Sequence, residues 1–224
     1  MTFTGYDAVR QRITGIVTEA NAGTEVPACP GWTVHDLVAH LAGGLADIVN
    51  GRMDLAGDPE WGERQVAERR GTPLDRLLAE WEANVPAAKD ALDGRMGPIM
   101  QAEVVSHEHD IRGAVREPGA RDDEIVTAAV QTFLLEVDRR VRKAGLPPLR
   151  VITIETDGPG TDTVVGEGEP AVTLRATPFD LMRTLSGRRT PEQLTAFDWD
   201  GDPTPYLDVF FVFGPAERPS TSSR

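Results

Sequence analysis

The chain has 224 residues, 40% hydrophobic and 26% charged, enough for one large or two small domains with real cores. Its formal net charge of -13 is spread along the sequence, which argues against nucleic-acid binding because a phosphate backbone calls for a basic footprint. No apolar run approaches the roughly 18–20 residues that cross a bilayer, so no membrane span is expected.

The opening "MTFTGYDAVRQR" lacks the basic-then-apolar order of a secretory signal. The single cysteine, Cys29, excludes an internal disulfide and agrees with a reducing compartment, so a cytoplasmic protein is expected. Residues 5–21 read as a first amphipathic helix. After the linker "VPACPGW", Thr33 and Asp36 form a variant capping box that opens "VHDLVAHLAGGLADIVN", with Val34, Leu37, Leu41, Leu45 and Ile48 as its apolar stripe. The Gly43-Gly44 pair inside that helix lowers its stability and allows either close packing or a bulge beside His40. A Gly/Asp-rich break containing Trp61 follows. Thr72-Pro73 then has the order of a cap and a first-turn proline, and Leu74, Leu77, Leu78 and Trp81 carry the next core face. A fourth helix is expected over about 99–115 and a fifth over about 123–144, closed by "AGLPP". Four or five such helices joined by short loops predict an up-down helix bundle over residues 1–146.

Beyond Pro148 the texture changes. "LRVITIET" and "AVTLRA" alternate like strands, "DGPGTD" is turn chemistry, Thr177-Pro178 starts a short helix, and "YLDVFFVFG" reads as a last strand. Residues 147–214 are therefore expected to form a small α/β domain, making the whole chain α+β, and 215–224 ("PAERPSTSSR") a disordered tail. "GPG" and "GEG" are turns; neither opens a helix in the context of a phosphate cradle.

The chain holds four histidines, and two lie in "EVVSHEHD", Glu103–Asp110. At about 100° per residue, Glu103, His107 and Asp110 share one side of a helix, while Glu108 and His109 turn away from it. A third ligand from a neighbouring helix has to be His35 or His40, and His40 flanks the apolar stripe. His40, Glu103 and His107 together make the two-imidazole, one-carboxylate set that suits catalytic zinc, with iron, nickel or manganese able to use the same donors. Asp36 and Asp110, each a turn from a histidine, are candidates to hold the imidazole tautomers. The competing reading is an ordinary i,i+4 helical pair stabilising the helix by a few tenths of a kcal/mol. His35 and His109 are expected at the surface, and Cys29 as a small buried hydrophobe. Arg188 and Arg189, in "SGRRTP", are either surface charges or the residues best suited to hold a substrate carboxylate.

"VPACPGWTVHDLVAHLAG" resembles the opening signature of the mycothiol-dependent maleylpyruvate isomerase family, within the DinB/YfiT-like helical bundles. "EVVSHEHD" fits the family's second signature at Glu103, His107 and Asp110, and "ATPFDLMRTLSGRRTPEQL" looks like part of a sterol-carrier-like C-terminal domain. The resemblance implies that His40, Glu103 and His107 bind a divalent metal, usually Zn2+, and that mycothiol is the thiol co-substrate. It implies a thiolate that adds to an electrophilic alkene and leaves after rotation, or stays attached as an S-conjugate. It does not imply which substrate. Two other readings stand beside it: a non-enzymatic metal-binding or regulatory module, and a metal-dependent hydrolase. Expected partners are thus a small-molecule substrate and a small thiol, with oligomeric state left open.

Overall fold

Helix formation in the first half follows the apolar spacing. In the computed structural model, which describes residues 2–54, 58–155 and 160–218, α1 (Thr2–Ile16) buries Tyr6, Val9 and Ile13 along one side. It stops five residues short of the expected end because the Asn21 side chain accepts from the Thr18 backbone N–H and donates to the Ile16 carbonyl. Next, α2 (Val34–Val49) starts at a true capping box: Thr33 accepts from the Asp36 N–H, and Asp36 accepts from the Thr33 N–H at 2.9 Å.

The break around Trp61 contains a helix, α3 (Pro59–Arg69), that the sequence reading missed. Its start has a local cause, since Asp58 accepts from the Glu60 N–H at 2.8 Å and a proline follows the cap. Helix α4 (Leu74–Asp93) begins after Pro73 with no side-chain cap, so Thr72 does not play the capping part expected of it. Leu74, Leu77, Trp81, Val85, Ala88 and Leu92 form its buried stripe. The last helix of this unit is α5 (Gly97–Val115), in which 12 of 19 residues are buried. Its two sides are therefore both interior, because α1, α2 and α4 all pack on it.

The chain divides into two compact units, Met1–Gly119 and Ala120–Arg224. The first is the bundle of α1, α2, α4 and α5, with α3 laid on α2. The second opens with α6 (Glu124–Ala144), capped by Asp123 and closed by Gly145 in the left-handed region at φ 62°. In sequence α6 reads as the fifth helix of the bundle; it packs instead within the second unit, on α7, β2 and α9.

That unit carries a four-stranded sheet in the order β2-β1-β3-β4. Strand β1 (Leu149–Thr153) pairs antiparallel with β2 (Asp162–Val165) and parallel with β3 (Val172–Ala176), setting Val151 opposite Leu174. Leu149, Val151, Thr153, Leu174 and Ala176 alternate into the interior, as a half-buried sheet requires. Helix α7 (Pro178–Leu185), capped by Thr177, and α8 (Pro191–Thr195), with a Thr190/Gln193 capping box, lead to the short edge strand β4 (Asp198–Asp200).

"YLDVFFVFG" is not a strand. Thr204–Tyr206 form a 3-10 turn and Leu207–Phe210 a helical turn, α9. Tyr206, Val209 and Phe210 stand three and four residues apart, so a helical turn buries all three on one side, and Phe210 packs edge-on to Trp199 at 5.9 Å. The apolar run Val209–Phe213 carries no period that separates strand from helix. The glycine and proline of "GPG" at 158 and 159, and tail residues 219–224, lie outside the described residues. Among the described residues no helix is long and apolar enough to cross a membrane.

Candidate metal centre

The loop before α2 is built of nested turns: Cys29 N–H donates to the Val26 carbonyl, Trp32 N–H to Cys29, and Val26 N–H to Trp32. A bridge between Glu25 and Thr33 closes it. This folding delivers Trp32 onto the His40 ring, with centroids 5.2 Å apart, and brings Cys29 beside α5. The "PACPGW" signature thus has a mechanical meaning: it carries an aromatic lid and a thiol to the two histidine-bearing helices.

His40 is buried on α2. Its Nε2 lies 3.3 Å from Glu103 Oε1 on α5, and the His40 and His107 rings meet edge to face at 5.2 Å. His40, Glu103 and His107 each offer one donor atom, all within 4.8 Å of one another. Tetrahedral ligands about 2.1 Å from a shared zinc stand about 3.4 Å apart, so the His40–Glu103 separation is that of a ligand pair. His107 Nδ1 is 3.0 Å from Asp110 Oδ2, and Asp110 is buried. A buried carboxylate accepts, so His107 donates from Nδ1.

The other side of His40 meets α3. Its Nδ1 lies 2.7 Å from Gln65 Oε1, and Gln65 Nε2 donates to Asp47 Oδ2 at 2.8 Å. Asp47 also accepts from Trp61 at 2.7 Å and Arg64 at 3.1 Å, with Arg52 3.4 Å away. Burial alone would raise the Asp47 carboxyl, but the bonds from Gln65, Trp61 and Arg64 and the Arg52 charge outweigh it and hold it below the usual carboxylate range. Gly43 makes this approach possible. A Cβ there would stand 2.8 Å from Gln65 Cβ and 2.9 Å from its Cγ, so of the two roles open to the Gly43-Gly44 pair, close packing is the one realised. Nearby, Tyr6 accepts from Trp81 Nε1 at 2.9 Å. Burial pushes the Tyr6 hydroxyl well above its ordinary range despite that bond, and the Glu103 charge adds to the rise.

Several residues sit elsewhere than the sequence reading put them. Asp36 serves the helix start through Thr33, and Gln65 is the residue that meets His40. His35 points its Nε2 at the Thr72 carbonyl, 2.7 Å away, and is half-buried rather than exposed. Glu108 and His109 are both buried, the opposite of a solvent face. Glu108 takes a two-pronged ion pair from Arg12 of α1, at 2.8 and 2.6 Å, and a second from Arg112. Cys29 is half-buried, and its thiol donates to Asp110 Oδ2 at 3.5 Å. Cys29, His107 and Asp110 thereby form a second cluster of donors within 4.8 Å, sharing His107 with the first. In the second unit Arg189 is buried and pairs with Asp180 at 3.0 Å, while Arg188 is half-buried and bonds the Ser186 carbonyl. Gln65, Asp47 and Tyr6 carried no signal in the sequence reading, although Asp58-Pro59 marks the helix that supplies Gln65; Trp32 was visible only as part of the loop signature.

Two imidazoles and a carboxylate on facing helices of a DinB-like bundle define the class: a helical domain with a candidate metal centre. Residues 7–112 match the family model described as the mycothiol maleylpyruvate isomerase N-terminal domain, a stretch that lies within the first unit. Two solved structures share the fold. A mutant of the mycothiol-dependent maleylpyruvate isomerase aligns at TM-score 0.55 and 18% identity, covering 83% of this chain and 86% of its own. The mycothiol-dependent maleylpyruvate isomerase itself aligns at TM-score 0.51 and 16% identity, over 84% and 86%. No curated protein matches the chain significantly.

Proposed function

We propose that the protein is a divalent-metal-dependent enzyme that uses mycothiol, a low-molecular-weight thiol, to isomerise or S-conjugate a small electrophilic substrate. The observation that carries this reading is the convergence of His40, Glu103 and His107 with donor atoms inside 4.8 Å. The set fits a zinc-like ion on chemical grounds. Both imidazoles are neutral-capable, both have Nδ1 engaged by a neighbour, and one carboxylate supplies the balancing charge. When bound, the ion would supply the positive charge that lowers the thiol's pKa and leaves it nucleophilic at neutral pH.

The chain's own residues have definite tasks in this reading. Asp110 holds the His107 ring by its Nδ1–H. Trp32 covers one side of His40 and limits water there. Tyr6, kept protonated by burial, packs behind Glu103 without adding charge. Arg188 and Arg189 are proposed to hold a substrate carboxylate in the second unit, with Asp180 already taking one edge of Arg189.

The test is a screen of isomerisation and thiol conjugation, with maleylpyruvate among the electrophiles, run on zinc-loaded protein with and without mycothiol. Turnover that requires the thiol supports the reading. Turnover that ignores it points to a hydrolase, and bound zinc without any turnover points to a metal-binding module.

A further inference from the structure

We propose that Asp47 and Gln65 are positioning residues that hold a hydrogen on Nδ1 of His40, so that Nε2 is the nitrogen turned to Glu103, 3.3 Å away. A glutamine amide can lie in either of two orientations, and a neutral imidazole can carry its proton on either nitrogen. Asp47 removes the ambiguity from a distance. Its carboxylate is ionised and only accepts, and it receives Gln65 Nε2 at 2.8 Å. Turning the amide over would set the Gln65 carbonyl oxygen against a carboxylate oxygen. Gln65 is fully buried and Asp47 is 1% exposed, so water does not relieve that repulsion.

The carbonyl oxygen of Gln65 must therefore face His40, where Nδ1 lies 2.7 Å away. A carbonyl accepts, so Nδ1 carries a hydrogen. Charge on Asp47 is thus converted, through one amide, into a choice of protonated nitrogen on a ring it does not touch, against the pull of the Glu103 carboxylate at Nε2. The local packing is specific to this chain of bonds: a Cβ at Gly43 would stand less than 3 Å from the Gln65 stem, and one at Gly62 3.0 Å from Trp32 and 3.5 Å from His40 Nδ1. On the other histidine the carboxylate of Asp110 makes the same choice directly. The last step, that the tautomer governs metal uptake, rests on the metal reading given above.

The experiment follows the His40 ring nitrogens by long-range 15N–1H NMR in zinc-free protein, with zinc affinity read by chelator competition on the same samples. Wild type should show a protonated Nδ1. In Asp47→Asn the new amide can donate to the Gln65 carbonyl, Gln65 turns its NH2 toward His40, Nδ1 loses its hydrogen, and the Nε2–H form that donates to Glu103 should become the major one. In Gln65→Met nothing holds the hydrogen on Nδ1, and the Nε2–H form should again gain at its expense. Zinc affinity should fall about 10–100-fold in both. If Asp47→Asn fails to fold because Arg52 and Arg64 lose their partner, Gln65→Met reads the same effect without disturbing those arginines. A His40 ring that keeps the wild-type pattern in the folded variants overturns the proposal. A switched tautomer with unchanged zinc affinity overturns its last step. Wild type that binds no zinc but shows the tautomer switch sinks the metal reading and leaves the positioning role supported.

Discussion

Replacing Gly43 by alanine should damage the centre while leaving the helix that carries it intact. On helix propensity alone the change is favourable by about 0.5–1 kcal/mol. The added Cβ, however, would sit 2.8 and 2.9 Å from the Cβ and Cγ of Gln65 and 2.8 Å from Arg69 Nη1. Arg69 can swing its terminus away, but the Gln65 stem is fixed to α3, so α3 must retreat by about 0.7–1 Å to restore ordinary contact. Such a step takes the 2.7 Å bond between Gln65 and His40 to roughly 3.5 Å, beyond useful length. Overpacking of this kind costs about 1–3 kcal/mol, so net stability should fall by about 0–2 kcal/mol. Zinc affinity should fall more distinctly, by about 10-fold or more. The neighbouring Gly44→Ala is the control, because its Cβ would meet only Gln65 Nε2 at 3.7 Å, an ordinary contact. That variant should gain about 0.5–1 kcal/mol and bind zinc like wild type. Urea unfolding and chelator competition on both proteins decide the matter. Equal stability gains and equal zinc affinity in the two would refute the close-packing role of Gly43.

The donor set itself is tested by metal content: wild type should hold about one zinc per chain, His40→Ala and His107→Ala should hold none, and His35→Ala and His109→Ala should retain it. Loss in all four, measured on folded protein by atomic emission, would remove the assignment. Glu108→Ala strips a buried carboxylate from two arginines and should cost about 3 kcal/mol in urea unfolding, the low end for broken buried pairs because Arg12 and Arg112 are partly solvated. In the second unit, Arg139 and then Arg140 pull Glu136 down to about 2 from its ordinary 4.5, against the opposing effect of burial. A depressed carboxyl stabilises the fold above pH 4.5 and loses that contribution as pH falls toward 2. With the solvent exposure of this pair, Glu136→Gln should lose about 1 kcal/mol at pH 7 and nothing at pH 2. An equal deficit at both values would show that the ion pair is not its source.

Much of the helical framework was legible because the helices are amphipathic and their ends are chemically marked, as at Thr33, Asp123 and Gly145. His40, Glu103 and His107 could be grouped from an i,i+4 spacing and a recurrent loop signature. What escaped notice shares a physical cause. Helix α3 has few apolar residues, so it lacks the stripe that announces a helix, and with it went Gln65. Angular reckoning on α5 assumed that one side of a helix faces water. With α1, α2 and α4 around it, Glu108 and His109 turn away from His107 and still lie inside. In "YLDVFFVFG" the run from Val209 to Phe213 is wholly apolar, and only the tertiary fit of Phe210 against Trp199 decides for a helical turn.

The Glu108 ion pairs have a bearing on which ions such a centre accepts. Glu108 neighbours His107 in sequence but is tethered to α1 by the bidentate Arg12, while His107 is tied to Asp110 on its own helix. The rotational phase of α5 against α1 is thus held by the Arg12–Glu108 pair, since the His107–Asp110 bond lies within α5. Calcium needs six to eight oxygens and a yielding coordination sphere, which a pair of imidazoles and one carboxylate does not offer. In the metal reading proposed above, selection for a small four- or five-coordinate ion would then rest in part on a salt bridge that never touches it.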